Sequence, residues 1–235
     1  MPKMNTLHLI SIVSIVTGIV CCCVIVADMV RGHRQQMAIM HVVYPVTALY
    51  AGPLALLLYF TIGRKDIKSK GPDGMHTSHA GHNMQHNKPF WQSVVTGTLH
   101  CGSGCTLGDM LAEVFLLVIP VEIWHSALAG AWTVDFLFAF LIGILFQYFA
   151  IKPMRKISAN EALLAALKAD TLSLIAWQVG MYGAMAICFF VIIGHRLPAS
   201  DPLFWFAMQI AMIIGFLTAY PMNWLLIKKG IKEQM

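Results

Sequence analysis

Apolar residues fill six stretches of the chain, at 7–29, 38–62, 90–119, 133–151, 171–194 and 203–227, and polar or charged residues gather in the intervals. A membrane-crossing helix needs about 20 predominantly apolar residues. The pattern therefore predicts an all-α polytopic membrane protein, a six-helix transmembrane bundle. Most connections are short, which favours antiparallel neighbours; the exception is 63–89. No repeat at a fixed period is visible, and the halves do not resemble each other, so an inverted-repeat transporter finds no support. Residues 1–235 read as a single integral membrane domain with one flexible loop inside it.

Composition agrees: 58% of the 235 residues are hydrophobic and 11% charged, and the mean hydropathy is +0.69, outside the soluble range. The first stretch is expected to be a retained helix, because no small-x-small cleavage site follows its apolar core. A net charge of +5 could indicate nucleic acid, but the basic residues are scattered beside helix ends with no aromatic-interleaved basic patch. They bear on orientation instead. With six crossings, Arg31, Arg34 and Arg196 fall on one side and the other thirteen of the sixteen Lys and Arg on the opposite side. The positive-inside rule then places the N and C termini in the cytoplasm, at the inner membrane.

The stretch 90–119 holds His100, Cys101, Cys105, Asp109 and Glu113 at membrane depth. Ionisable groups there cost about 2.5 kcal/mol or more each, and usually mark an ion path, a relay or a ligand site. At about 100° per residue, Cys101, Cys105, Asp109 and Glu113 share one stripe about 120° wide. His100 stands apart, beyond Gly104 and Gly108. Those two glycines make a Gly-x-x-x-Gly seam suited to close helix packing, so the cysteines read either as small packing residues or as ligands, and both readings stay open.

Met181 and Met185, and Met208 and Met212, place thioether pairs one turn apart on the fifth and sixth stretches. Soft Cu(I) ligation inside a membrane would use such pairs, and so would flexible core packing. His41 and Asp28 are expected at the outer face with Glu113, at the start of a path leading past Asp109, Cys105 and Cys101. The loop 63–89, expected in the cytoplasm, concentrates His76, His79, His82 and His86 with Met75 and Met84, a compositional metal-binding signal.

All six cysteines fall in apolar stretches, which argues against a disulfide scaffold. Phosphate-loop, nucleophile-elbow and zinc-helix motifs are absent, and nothing signals an enzyme. The run His100-Cys101-Gly102-Ser103-Gly104-Cys105-Thr106-Leu107-Gly108-Asp109 resembles the signature of an uncharacterised bacterial multi-spanning membrane family. So do residues 32–53, with Tyr44-Pro45-Val46-Thr47, and Lys168-Ala169-Asp170-Thr171-Leu172-Ser173. That resemblance implies an integral membrane fold and no established activity.

The residues together point to binding or transport of a transition-metal cation, Cu(I) before Zn(II), with the lipid bilayer and the metal ion as partners and no nucleic acid. Homo-oligomer formation stays open. Three alternatives remain: a membrane redox protein holding haem or quinone through His41 or His100, a proton-coupled small-solute carrier using Asp109, Glu113 and Asp170, and an accessory subunit whose polar stripe only binds a partner helix.

Overall fold

The computed structural model describes residues 2–33, 35, 37–64, 89–154 and 157–233, the side chains of 2–5, 153 and 154 excepted. They form α1 (Pro2–Val30), α2 (Met40–Ala51), α3 (Pro53–Leu58), α4 (Phe90–Val118), α5 (Ala127–Met154), α6 (Ala159–Ala186) and α7 (Pro202–Lys228). Wider π-turns continue α3 over Tyr59–Gly63 and α6 over Ile187–Ile193. Local chemistry sets several of the ends. Ser158 and Glu161 form a reciprocal capping box at the start of α6. The Asp201 carboxylate accepts from the Leu203 amide at 2.8 Å, with Pro202 at the first helical position of α7.

Among the described residues five helices are long and apolar enough to cross a membrane: α1, α4, α5, α6 with its π-turn, and α7. The polarity of the bundle is inverted relative to a soluble fold. Leu117, Leu141, Val179 and Val191 are exposed, whereas Asp109, Gln147, Asp170, Ser173 and Asn223 are fully buried. A hydrocarbon surround produces that arrangement, since apolar side chains face lipid and polar groups find partners inside.

The sixth expected helix is not a span. Gly52, at φ +51°, breaks 38–62, and Pro53 follows it with no amide hydrogen to carry the ladder on. The chain then turns back. Tyr44 and Tyr59 are fifteen residues apart, about 22 Å on a continuous helix, yet their ring centroids stand 5.4 Å apart. The tip of the hairpin lies against the middle of α1: a Cβ on Gly52 would stand 3.9 Å from the Thr17 methyl. Its returning arm ends beside the C-terminal turn of α1, where the Tyr59 hydroxyl donates to Asp28 Oδ2 at 2.8 Å and Arg64 Nε lies 3.3 Å from the same oxygen. Residues 40–63 thus enter and leave on one end of the bundle. Non-helical backbone at that depth requires protein partners, and Gln209 Nε2 supplies one by donating to the Leu49 carbonyl at 2.6 Å.

This hairpin changes the expected ends. His8 lies 3.5 Å from Asp201 and Ser14 donates to Gln209 at 2.7 Å, so α1 and α7 run parallel. The start of α1, the end of α4 and the α6–α7 connection share what we call the first end. Residues 31–33 and 37–39, Arg64, the start of α4, the end of α5, the start of α6 and residues 229–233 share the second. The N-terminal and C-terminal segments accordingly sit at opposite ends, not on the same side as the six-span reading has it. Asp28 and His41 lie at the second end, remote from Glu113 at the first.

The Gly-x-x-x-Gly seam packs as its spacing predicts. A Cβ on Gly104 would stand 2.8 Å from the Gly143 Cα, and one on Gly108 would run into the Ala139 backbone. The falling partner numbers show α4 and α5 to be antiparallel. That close approach brings Asp135, on α5, next to the polar stripe of α4.

Candidate functional site

The stripe predicted on α4 faces inward. Cys101, Cys105 and Asp109 are fully buried, and Glu113 nearly so. The structure brings Cys101, Cys105, Met181, Met185, Met208 and Met212 into one buried cluster with Trp177 and Tyr50. Convergence of α4, α6 and α7 on a common axis, which helical periodicity cannot reveal, is therefore present.

At the first end, Glu113 and Arg196 border an outward-facing cavity of about 310 Å³. Next to it, sharing Glu113 and Arg196, is a smaller one of about 10 Å³, lined also by Asp135, Tyr182, Met181, Met185 and Met208. On that measure it has room for about one water. Asp135 lies within electrostatic reach of Asp109, Glu113 and Arg196. Gln178 Nε2 donates to Asp109 Oδ1 at 3.1 Å. Asp109 Oδ2, Asp135 Oδ1 and Gln178 Oε1 are buried with no hydrogen-bond partner among the described residues.

Below Asp109, the thiols of Cys105 and Cys101 are neighbours, and Cys105 lies within electrostatic reach of both Asp109 and Asp170. Thr106 donates to Met212 Sδ at 3.6 Å beside them. At the second end, Lys232 Nζ donates to Asp170 Oδ1 at 2.6 Å, and neither side chain is exposed. Burial pushes the Lys232 ammonium down, but Asp170 more than offsets this and holds it above the ordinary lysine value. His100 is close enough to feel both charges and to hydrogen-bond the Phe146 backbone, and its ring packs against that of Phe146 at 5.9 Å between centroids.

Arg196, Glu113, Asp135, Asp109, Cys105, Cys101, His100, Asp170 and Lys232 thus form a polar column along the bundle, with a cation at each end. Unsatisfied buried polar atoms are costly, and a file of them inside an apolar shell is suited to exchanging partners with a small mobile cation or water.

Several sequence candidates fall elsewhere. His41 is exposed at the second end, and its Nδ1 lies 3.1 Å from the Ala38 carbonyl of its own turn. Asp28 is held by Tyr59, His33 and Arg64. Neither belongs to the column. His76, His79, His82 and His86 lie outside the described residues. Among the described residues no group of three or more His, Cys, Asp or Glu side chains gathers in a metal-holding arrangement; the convergence observed is of thioethers with carboxylates.

Asp135 and Lys232 were not singled out by sequence. An acid inside an apolar stretch is itself a signal, and Asp135 carries it. Lys232 carries none, because it follows the last helix among other basic residues and only the turn at Gly230, at φ +67°, sends it back into the bundle.

A family model described as Domain of unknown function (DUF4396) matches residues 90–232, more than half of the chain. The match takes in α4 to α7 and the whole column through Lys232; α1 and the hairpin precede it. No curated protein and no solved structure matches the chain.

Proposed function

The chain belongs to the family described as a domain of unknown function (DUF4396), a description that names no activity, and from its buried column we propose that it binds and conducts a cation, Cu(I) before Zn(II). The observation that carries this reading is the small cavity where Met181, Met185 and Met208 meet Glu113 and Asp135. Thioethers are soft ligands that favour Cu(I), and the carboxylates offset its charge in a low-dielectric interior. Cys105 and Cys101 continue the soft donors toward the second end. Each ligand exchanged along the file replaces one the cation leaves behind.

The orientation we propose puts the second end in the cytoplasm of a bacterial inner membrane. Among the described residues, Lys3 and Arg196 lie at the first end, and Arg31, Arg64, Lys152, Lys168, Lys228, Lys229 and Lys232 at or toward the second. That bias is the one the positive-inside rule associates with a cytoplasmic face. Cu(I) would then enter past Glu113 from outside and leave near Lys232.

Copper content of the purified protein after Cu(I) loading, measured by elemental analysis, tests the reading. Wild type should hold copper that a Met181→Leu/Met208→Leu variant loses; equal content in both would overturn it.

A second reading, proton movement through the same column, is favoured by the unpartnered oxygens of Asp109, Asp135 and Gln178. Proteoliposomes under an imposed pH gradient, with Asp109→Asn as the blocked control, separate it from the first.

A further inference from the structure

The hairpin of residues 40–63 reaches only partway along the bundle, since Gly52 at its tip faces Thr17, near the middle of the apolar length Thr6–Val30 of α1. Up to the tip, α2 is wedged between α1, α4 and α7, so close to α1 that a Cβ on Gly18 would stand 2.6 Å from the Leu49 carbonyl oxygen. Beyond the tip, toward the first end, no described helix continues it. A partly open cavity of about 260 Å³ takes its place, lined by Leu49 and Tyr50 from the tip, Ile15 and Ile19 from α1, Met110 from α4, and Trp205 and Met208 from α7.

The lining limits what can fill this space. No charged side chain contributes to it, and its polar groups are turned to protein partners. Gln209 donates to the Leu49 carbonyl and accepts from Ser14, the Trp205 ring N–H donates to the Ala199 carbonyl at 2.7 Å, and the Thr106 hydroxyl donates to the Gly102 carbonyl at 2.8 Å. The Tyr50 hydroxyl, within hydrogen-bonding reach of Thr47, is at most one free donor. A quinone head group, with a carbonyl on each side of its ring, would leave an acceptor unsatisfied there; a hydrocarbon chain leaves none. Apolar cavities stay dry and take apolar ligands. Length agrees as well. From Thr6 to Thr17 is about 17 Å of helix, close to half of a hydrocarbon core about 30 Å thick, which is the depth that the chains of one leaflet fill. Ile19 is 49% exposed, so the side of the bundle by α1 offers the entry.

We propose that one acyl chain of a phospholipid, from the leaflet at the first end, occupies this cavity as a bound ligand and stands in for the half-helix that the hairpin does not supply. This goes beyond the cation-conducting reading and does not depend on it. The chain shares a wall with the column, because Met208 lines both this cavity and the small one beside Glu113 and Asp135.

Full-length protein in detergent, titrated with phosphatidylethanolamine carrying dibrominated acyl chains, tests this, because bromine quenches a tryptophan that it touches and Trp205 lines the cavity. Wild type should show a quenching component that saturates at about one lipid per chain. Trp205→Phe should lack that component, and an Ile15→Phe/Met110→Phe variant, which fills the cavity, should weaken it at least about fivefold. Ile19→Phe narrows the space with a single change and should weaken it too, which keeps the proposal open to refutation if the double variant fails to fold. Thermal unfolding gives an independent readout: the lipid should raise the Tm of wild type, to whose folded state it binds, and leave that of the filled variant unmoved. Absence of a saturable component in wild type, or equal strength in the filled variants, overturns the proposal. So does a quinone, rather than a phospholipid, recovered from wild type and lost from the variants, or a wild-type dimer that the variants dissociate.

Discussion

The edge-to-face contact of Tyr44 with Tyr59 turns an apparent membrane span into a hairpin that enters and leaves on the same end. With that hairpin the start of α1 and the end of α7 lie at opposite ends of the bundle, and the orientation proposed above then puts the two termini on opposite sides of the membrane. A protease-sensitive tag at the N-terminus should be cut in intact spheroplasts and one at the C-terminus should be protected. Protection of both tags would restore the six-crossing arrangement.

The Asp28 cluster anchors the returning arm. Tyr59→Phe removes the hydroxyl that donates to Asp28 Oδ2 at 2.8 Å, and hydrogen bonds to charged groups contribute about 1.5–3 kcal/mol. Unfolding in detergent should show a loss of that order. A double-mutant cycle between Asp28→Asn and Arg64→Met should give a smaller coupling, about 1 kcal/mol or less, since the Arg64 side chain is 31% exposed and solvent screens such pairs.

The α4–α5 seam leaves no space for a side chain. Gly108→Leu should destabilise by about 1–3 kcal/mol or more through overpacking against the Ala139 backbone, seen as a lower Tm in detergent. Gly183, where a Cβ would meet nothing within 4 Å, provides the contrast: Gly183→Ala should leave Tm unchanged or slightly raised, because alanine is the better helix former.

Asp109→Asn keeps an oxygen for Gln178 and removes the ionisable carboxyl, so the fold should persist while transport falls at least about tenfold. Asp135→Asn should behave the same way, since its carboxylate lines the cavity with the three thioethers. Uptake into vesicles, read beside the Tm of each variant, distinguishes a conduction defect from instability. Normal uptake in both variants would remove the carboxylates from the path.

Met181→Leu and Met208→Leu are close in volume and should cost less than about 1.5 kcal/mol each in stability, yet copper loading should fall in each and more in the pair. A copper content indifferent to these changes would reduce the methionines to packing.

How much of this was legible beforehand varies by element. The inward face of Cys101, Cys105, Asp109 and Glu113 follows from periodicity alone, since a helix fixes angular spacing whatever surrounds it. The Gly104/Gly108 seam was readable for the same reason. Asp135 is open to the same logic, as an acid inside an apolar stretch. The hairpin was hidden: Gly52-Pro53 marks a break, but a kinked span and a turn back have the same composition.

The sequence by itself determined the all-helical bundle, its apolar exterior and the polar stripe of α4, because chain length, hydropathy and the helical repeat are local properties. Tertiary structure alone decided the turn back at Gly52, the meeting of thioethers with Glu113 and Asp135, and the docking of Lys232 on Asp170. Those are relations between helices distant in sequence, set by which faces pack together, and no window along the chain contains both partners.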